Sequence, residues 1–337
     1  MRHRLTTATA ALLLLCGPAA AGCGGKVDPH RVGVVLPLLT SPFWEAYNND
    51  IPKQATKAGV RILPTVNSND QPGKQITDIN ILLAQEVKGL VVSPIDSAAI
   101  GPGLNAARRA HVPVVAVDVA PDRGKVAIVV RADNRAYGVK ACRSLGRAVR
   151  RGTVVQIQGD LASDNGRDRT AGFDHCMARH YPDIKVLDIP AAWQAERAAA
   201  GLEALYSAYP GIKGIYLQAG GVYLAPTLRI LQSHHALVPV GHRGHIAIVS
   251  NDGIPQELAA IREGLIDATV SQPANLYAVY AMRYIKQAMA GKPFRTGPTR
   301  HHSTIVRLPG GNLEDQLPAP LVTRSNVDNR SLWGNQV

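Results

Sequence analysis

The chain has 337 residues, of which 46% are hydrophobic and 18% charged, enough apolar material for the cores of two ordinary domains. This composition excludes a disordered chain, a collagen-like repeat and a small disulfide-stapled protein. The formal net charge is +12, but no run of lysine and arginine is interleaved with aromatic residues, as a groove that follows a nucleic-acid strand requires. We therefore expect no nucleic-acid partner.

Residues 1–22 have the pattern of an export signal. Arg2 and Arg4 precede an apolar stretch at residues 5–15, which has the length of a signal-peptide core and is too short to span a membrane. No later apolar run is long enough for a membrane helix. We therefore expect the rest of the chain to lie outside the cytoplasm.

The segment that ends at Cys23 resembles a bacterial lipobox, in which the cysteine is lipidated and becomes the first residue. Gly22 is the small residue before it, although the leucine usual three places before the cysteine is Ala20 here. We expect a lipoprotein anchored through Cys23 to the outer face of the cell membrane, with residues 23–30 as a tether. A simply secreted protein is the alternative.

Two further cysteines, Cys142 and Cys176, lie in the body of the chain. An oxidising compartment favours disulfides, so we expect one disulfide between them; two separate buried thiols are the alternative. The chain has no CxxC or HExxH motif, so no metal site and no cofactor are expected. The histidines in two clusters are interpreted as surface residues and not as metal ligands: His234, His235, His242, His245, His301 and His302.

Short β-branched runs alternate with longer helical patterns from residue 31 onward. In the first half, the predicted strands are residues 31–36, 61–66, 89–93, 114–117 and 127–131. The predicted helices between them are residues 42–58, 73–85 and 97–110. In the helix at 42–58, for example, Phe43, Tyr47 and Ile51 recur at helical spacing.

The second half repeats this alternation. Its predicted strands are residues 153–158, 185–189, 214–218, 246–251 and 268–272, and its predicted helices are 134–150, 166–180, 194–208, 223–233, 255–263 and 275–290. The strands are near-continuous apolar runs, as expected when helices cover both faces of a parallel sheet. The sequence therefore predicts an α/β fold with two doubly wound lobes, whose ligands bind at the carboxyl ends of the strands.

Polar and aromatic residues collect at this predicted edge. After the first strand, Ser41 is a helix N-cap and Pro42 the first helical residue, so Phe43 and Trp44 lie in the first turn. Asp118 ends the fourth strand. In the second half, the residues at strand ends or helix starts are Arg167, Trp193, Asn251, Asp252 and Gln272.

Aromatic rings that pack on the CH faces of a sugar, combined with charged groups that bond its hydroxyls, suit a neutral polyhydroxy ligand. Catalysis has weaker support, since GxGxxG, GxxxxGK[ST] and GxSxG motifs are all missing. The one catalytic alternative is a glycosidase that uses Asp118 and Asp252 as its two carboxylates. We expect a binding protein and not an enzyme.

The residues from 32 to 308 resemble the type I periplasmic solute-binding proteins of the ribose-binding group, which serve ABC importers. The most specific matching segments are SPFW at 41–44, PIDSAAI at 94–100, VPVVAVD ending at Asp118, ADN at 132–134, GRDRTAGF at 166–173, SNDG at 250–253 and ATVSQP at 268–273. The resemblance implies two lobes of the periplasmic binding protein type I fold, which close on a ligand held between them.

The resemblance also implies a ligand site. The aromatic residues that would sandwich a sugar match Phe43, Trp44 and Trp193, and its hydrogen-bonding residues match Ser41, Asp118, Arg167, Asp252 and Gln272. This chain departs from the ribose-binding pattern at three positions, where Val119 replaces an arginine, Ala219 an asparagine and Asn251 an aromatic residue. A different pentose, a hexose or a linear polyol is therefore as compatible as ribose.

The family fold implies three crossings between lobes, near residues 131–134, 272–273 and 300–303. They divide the chain into a first lobe of residues 31–131 plus 273–300 and a second lobe of residues 132–272 plus 301–325. Residues 326–337 are then a C-terminal extension.

The leading functional hypothesis is a lipid-anchored, monomeric receptor that delivers a monosaccharide or sugar alcohol to the permease subunits of an ABC importer. One alternative is a sensing module for a membrane kinase or chemoreceptor, and another is a binder of a non-carbohydrate ligand such as a nucleoside. A transcription repressor of the LacI type shares the fold but needs an N-terminal helix-turn-helix, where this chain has its signal and tether.

Overall fold

The computed structural model describes residues 31–337. The predicted export signal, the tether and the lipidation site Cys23 lie outside the described residues. Strands and helices alternate along the described chain and form two separate, largely parallel sheets, each covered by helices. The predicted α/β class with two doubly wound lobes is confirmed.

The first lobe begins with a nearly regular alternation of strands and helices. Its elements are β1 (Arg31–Leu36), α1 (Pro42–Ala58), β2 (Arg61–Ile62), β3 (Val66–Asn67), α2 (Pro72–Ala84), β4 (Gly89–Val92), α3 (Gly101–Arg109), β5 (Val114–Val117) and β6 (Ile128–Ala132). The single strand predicted at residues 61–66 is thus two short strands, both of which pair with β1.

The second lobe follows, and the chain then returns to the first. The second-lobe elements are α4 (Asn134–Val149), β7 (Gly152–Gln158), α5 (Asp164–His180), β8 (Ile184–Pro190), α6 (Ala195–Ala208), β9 (Ile212–Leu217), α7 (Gly220–Ser233), β10 (Ala247–Asp252), α8 (Pro255–Glu263) and β11 (Ala268–Ser271). The C-terminal elements are α9 (Ala274–Met289), β12 (Gly297–Pro298), β13 (Thr304–Arg307), β14 (Leu313–Leu317), β15 (Leu321–Thr323) and a 3₁₀ turn (Trp333–Asn335).

The order of strands in each sheet shows which segments belong to which lobe. The first sheet has the order β12-β13-β14-β6-β5-β4-β1-β2, and the second has the order β15-β11-β10-β9-β7-β8. β13 and β14 therefore belong to the first lobe, because β14 pairs in parallel with β6. The prediction that residues 301–325 belong to the second lobe is wrong for residues 301–317.

The physical reason for this error is the polarity of β14, whose sequence is LEDQL. Its Glu314 and Asp315 are 1% and 0% exposed, although carboxylates rarely occupy a buried strand. The Arg131 guanidinium lies 2.5 Å from the Glu314 carboxylate, and the Tyr284 hydroxyl donates to Asp315 at 2.7 Å. Partners from distant segments thus make a buried polar strand possible.

The chain passes between the lobes after Ala132, after Ser271 and again between β14 and β15. The third crossing is formed by residues 318–320 and not by residues 300–303. Beyond β15, the C-terminal segment packs on the second lobe, where Val327 and Leu332 join its hydrophobic core.

Helices α4 and α5 are the most closely packed pair in the second lobe. A Cβ atom on Gly138 would lie 2.1 Å from the carbonyl oxygen of Arg169, and one on Gly172 would lie 2.2 Å from that of Arg135. Only glycine permits this approach of two backbones. The predicted disulfide between Cys142 and Cys176 is confirmed, and it joins these same two helices.

We expect the double variant Cys142→Ala/Cys176→Ala to unfold more easily than the wild type. The disulfide spans 34 residues of sequence, and removing a cross-link of that length lowers the free energy of unfolding by roughly 2–4 kcal/mol. Urea unfolding followed by circular dichroism measures this difference. A reductant should destabilise the wild type and leave the double variant unchanged; equal midpoints for the two proteins would contradict the prediction.

Candidate ligand-binding site

A cavity of about 90 Å³ lies between the two lobes, at the carboxyl ends of the strands of both sheets. This is the position that doubly wound sheets provide for ligands. Of the nine residues predicted for the site, seven line the cavity and two do not. The seven are Ser41, Phe43, Trp44, Asp118, Trp193, Asp252 and Gln272.

The start of α1 forms the aromatic wall on the first lobe. The Ser41 hydroxyl accepts a hydrogen bond from the backbone N–H of Trp44 at 3.3 Å, and Pro42 fixes the first helical φ. The rings of Phe43 and Trp44 are therefore held in the first turn, 5.1 Å apart and nearly perpendicular. Tyr277 of α9 packs edge-on behind Phe43 at 6.0 Å.

Trp193 forms the aromatic wall on the second lobe. Its ring stacks on Tyr223 at 6.5 Å with an interplanar angle of 15°. Its backbone N–H donates to the Tyr223 hydroxyl at 2.8 Å, and that hydroxyl donates to the carbonyl oxygen of Gln158 at 3.0 Å. Gly159 lies directly against the indole, since a Cβ there would be 1.8 Å from the ring.

A chain of polar side chains connects the two lobes across the cavity. Arg169 of α5 donates to the Gln272 amide oxygen at 2.7 Å, and the Gln272 amide nitrogen donates to the Asp118 carboxylate at 2.8 Å. Arg169 also donates to Asn134 at 2.7 Å and to the carbonyl oxygen of Gln218. Because Asp118 belongs to the first lobe and Arg169 to the second, this chain requires the lobes to be close together.

The arginine at the site is Arg169 and not Arg167, which corrects the sequence prediction. The Arg167 guanidinium lies outside the cavity and is bonded to Asp122 at 2.6 Å on the exposed rim of the cleft. Arg169 is only 3% exposed, and its guanidinium lies 5.1 Å from the centre of the Tyr137 ring and 5.5 Å from that of Trp193.

Helical periodicity is the signal that identifies Arg169. The buried residues of α5 include Asn165, Arg169, Phe173 and Cys176, which recur at the spacing of one helix face. Arg167 is two positions from Arg169, about 200° around the helix, and therefore faces away.

Asn251 is the second predicted residue that does not line the cavity. Neighbouring side chains of a strand point to opposite faces, so Asp252 faces the ligand space and Asn251 turns away from it. The Asn251 amide donates to the Tyr216 hydroxyl at 2.8 Å and to the carbonyl oxygen of Gln218 at 3.2 Å. Asn251 therefore supports the end of β9 instead of contacting a ligand.

Several cavity residues were not predicted as site residues. The helical period of α5 could have identified Asn165 and Arg169, and the position directly after β4 could have identified Ser93. Asp70, Pro94 and Ile95 occupy loops whose course the sequence does not indicate. The full set of unpredicted polar residues on the wall is Asp70, Ser93, Ser163, Asn165 and Arg169.

Four residues of the cavity wall have a left-handed backbone. They are Asp70, with φ of 56° in a loop, and three residues that follow strands: Asp118 with φ of 66°, Trp193 with φ of 58° and Asp252 with φ of 113°. Such conformations are uncommon outside glycine and cost about 1–3 kcal/mol each, and they occur mainly at functional sites. Their presence on three different strand ends of one cavity indicates that the cavity wall has been shaped for a ligand.

Burial dominates the electrostatics of Asp118 and Asp252, two of the three carboxylates on the cavity wall. It raises the pKa of Asp118, against the opposing charges of Arg169 and Arg131. Burial also raises the pKa of Asp252 to about 7, although Arg169 and the backbone N–H of Gly221 oppose this shift. Repulsion from Asp118 acts in the same direction as burial. The neighbouring Glu257 is also buried, and burial and repulsion from Asp252 raise its pKa to about 8, so one carboxyl of the Asp252–Glu257 pair readily takes up a proton.

On one side of the cavity, the rim joins the lobes directly. The Asp164 carboxylate of α5 accepts from the backbone N–H of Ala120 at 3.0 Å and lies 2.6 Å from the Arg131 guanidinium. Its own backbone N–H donates to the Ser97 hydroxyl at 2.9 Å. Ala120, Arg131 and Ser97 all belong to the first lobe, so the described conformation is closed along this edge.

Within residues 31–337, no group of three or more histidine, cysteine or acidic side chains is arranged to hold a metal ion. His245 and His301 are not solvated as predicted. They are partly buried and bond to Asp267 and Asp315, each at 2.9 Å. None of the helices described from residue 31 onward has the length and apolar character to cross a membrane.

Comparison with known proteins places the chain among solute-binding proteins. The family pattern described as "Periplasmic binding protein domain" matches residues 32–293. A xylitol-binding protein of Mycolicibacterium smegmatis is 26% identical over 319 residues, which cover 94% of this chain and 83% of that protein. A ribose import binding protein of Bacillus subtilis is 26% identical over 270 residues, which cover 80% of this chain and 84% of that protein.

A solved structure has the same fold. It is an ABC transporter solute binding protein from Mycobacterium smegmatis with bound glycerol, and it matches with a TM-score of 0.75 at 23% identity. The match covers 88% of this chain and 95% of that one.

We expect Asp252→Asn to reduce the loss of stability that the wild type shows as the pH rises. A carboxyl whose pKa is raised to about 7 in the folded state, against 3.8 when unfolded, binds its proton more tightly in the folded protein. It therefore stabilises the fold at low pH, and this stabilisation is lost as the pH rises through 7. Asparagine cannot ionise, so the variant lacks this loss.

The free energy of unfolding is measured in urea from pH 5 to pH 8. Between these two pH values, that of the variant should rise by roughly 2 kcal/mol relative to that of the wild type. Glu45→Gln, on the exposed side of α1, is the control and should follow the wild type at every pH. Parallel curves for Asp252→Asn and the wild type would contradict a raised pKa at Asp252.

Proposed function

The chain belongs to the periplasmic binding protein domain family, and from this we propose that it is the extracytoplasmic substrate-binding protein of an ABC importer. Its substrate is a monosaccharide or a sugar alcohol, held in the cavity between the lobes. The xylitol-binding and ribose import binding proteins among its relatives support this class of substrate.

The observation that carries the proposal is the pairing of aromatic walls with a polar chain in one cavity. Phe43 and Trp44 come from the first lobe and Trp193 from the second, so aromatic side chains of both lobes border the space. The polar chain of Asp118, Gln272 and Arg169 supplies hydroxyl partners beside these rings. Carbohydrates need both, because they present CH faces and hydroxyl edges.

The cavity is less polar than the ribose-binding pattern implies. Val119 and Ala219, which stand where that pattern has an arginine and an asparagine, both line the cavity. A ligand hydroxyl placed against either side chain would lose its hydrogen bonds to water without a replacement. This favours a monosaccharide or sugar alcohol other than ribose, whose hydroxyls lie away from these two side chains.

The proposal includes delivery to permease subunits and attachment to the outer face of the cell membrane. The lipobox-like segment that ends at Cys23 supports the attachment. Closure of the lobes on the ligand gives the permease a means to distinguish the loaded from the empty form. No chemical change of the ligand is involved, in keeping with a family of solute-binding proteins.

The proposal is tested by a thermal-shift screen of the purified protein against linear polyols, pentoses, hexoses, myo-inositol and nucleosides. A ligand that binds only the folded protein stabilises it by about 2.7 kcal/mol at a hundredfold excess over Kd, which raises the melting temperature by a few degrees. We expect xylitol or a related polyol to give the largest shift. A shift with nucleosides alone, or recovery of a bound sugar in altered form, would contradict the proposal.

Arg169→Gln should weaken binding of the ligand found in the screen by at least about tenfold, since a charged donor in the polar chain is worth about 1.5–3 kcal/mol. Arg167→Gln is the matched control, because it makes the same chemical change two residues away on the exposed side of α5. Its exposed ion pair with Asp122 contributes little, so its affinity should stay within about threefold of the wild type. Isothermal titration calorimetry decides between the two arginines, and equal losses would contradict the assignment of Arg169.

A further inference from the structure

We propose that Trp333, in the C-terminal segment of residues 324–337, is a positioning residue which holds Phe43 and Asp252 in place on the parts of the cavity wall that the two lobes contribute. The proposal rests on the proposed function only in taking this cavity as the ligand site. The segment lies beyond residues 32–293, where the family pattern matches, so nothing in that pattern assigns it a role.

Trp333 lies behind the cavity wall and contacts residues of both lobes. Its side chain is 3% exposed. The indole N–H donates to the backbone carbonyl oxygen of Asp252 at 2.9 Å, and the ring packs against Phe43 at 6.1 Å with an interplanar angle of 83°. Phe43 lies in the first turn of α1 in the first lobe and Asp252 ends β10 in the second, so one side chain supports both walls.

Asp252 needs support from outside its own strand because its backbone is strained. With φ of 113°, it has a conformation that an L-residue keeps only when its surroundings enforce it. The carbonyl oxygen of Asp252 accepts from the Trp333 indole and also from the backbone N–H of Gln272 at 2.9 Å. Without the indole, one of these two bonds is lost and the Asp252 carboxylate is less firmly aimed into the cavity.

The 3₁₀ turn that carries Trp333 fits closely against the backbone after Asp252. A Cβ atom on Gly334 would lie 2.2 Å from the carbonyl oxygen of Gly253, and one on Gly253 would lie 2.8 Å from the Cα of Ser271. Two glycines thus bring the C-terminal turn, the end of β10 and the end of β11 into direct contact. A displacement of the turn is therefore transmitted to Asp252.

Polar contacts fix the segment to both lobes. Arg262 of α8 donates to Asp328 at 2.8 Å and to the Asn335 side chain at 2.7 Å. At the other side, Asn275 at the start of α9 donates to the Gln336 side chain at 3.1 Å. The segment therefore spans the second crossing between the lobes, on the opposite side of Asp252 from the ligand space.

The test compares Trp333→Phe and Trp333→Ala with Leu332→Ala. Phenylalanine keeps a smaller ring against Phe43 and loses the N–H donor with the second ring of the indole, whereas alanine loses the whole aromatic side chain. Leu332 is the matched control, since it is equally buried at 5% exposure and is adjacent in the same segment, but packs in the core of the second lobe. All three variants are first compared for melting temperature.

Binding is measured by calorimetry with xylitol and D-ribose as probes. We expect Trp333→Phe to weaken binding about tenfold and Trp333→Ala more, while Leu332→Ala stays within about twofold of the wild type even where it melts at a lower temperature. Equal affinities of Trp333→Phe and the wild type would overturn the proposal, as would affinities that follow melting temperature in all three variants.

Hydrogen exchange measured without ligand separates this proposal from the proposed function. If Trp333 positions the site, both Trp333 variants should exchange faster than Leu332→Ala in peptides that contain residues 41–47 and 250–254. If none of the proteins binds either probe, this comparison still decides the role of Trp333. Exchange that rises equally in all three variants would assign Trp333 a merely structural role.

Discussion

The charge of Arg169 is the constraint on which the rest of the site depends. A guanidinium cannot lose its proton in a protein, so at 3% exposure its charge must be balanced and its N–H groups bonded. Gln272 links it to Asp118, and the charge of Asp252 acts on it from the other side. Asp118 lies in the first lobe and Asp252 in the second, so the balance is complete only when the lobes are together.

This constraint also explains the close packing of α4 and α5. Asn134 at the start of α4 accepts from Arg169, and it can do so because Gly138 and Gly172 let the two helix backbones approach. The disulfide between Cys142 and Cys176 holds the same helix pair one to two turns further along. The second lobe thus presents its arginine from a rigid base, and pre-organisation of this kind lowers the entropy cost of binding.

The parts of the fold that could be predicted from sequence are those with a strong apolar period. Strands such as Val114–Val117 are fully buried and apolar, and helices such as Pro42–Ala58 begin with a clear cap. The strand Leu313–Leu317 could not be assigned to the first lobe, because its carboxylates are stabilised by Arg131 and Tyr284, far away in sequence. Of the residues predicted from strand ends, all but Asn251 line the cavity, whereas within α5 the choice between Arg167 and Arg169 depends on the helix period.

The pairing of β14 with β6 has a consequence for the order in which the chain folds. The contact between Arg131 and Glu314 joins residues 183 positions apart, so the first sheet cannot be completed until nearly the whole chain is available. Helices α4 and α5 are separated by a single strand, and loop closure over such a short distance is fast. The disulfide of the second lobe can therefore form before the final strands of the first sheet have paired. The ligand cavity needs both lobes, so it is the last part of the molecule to form.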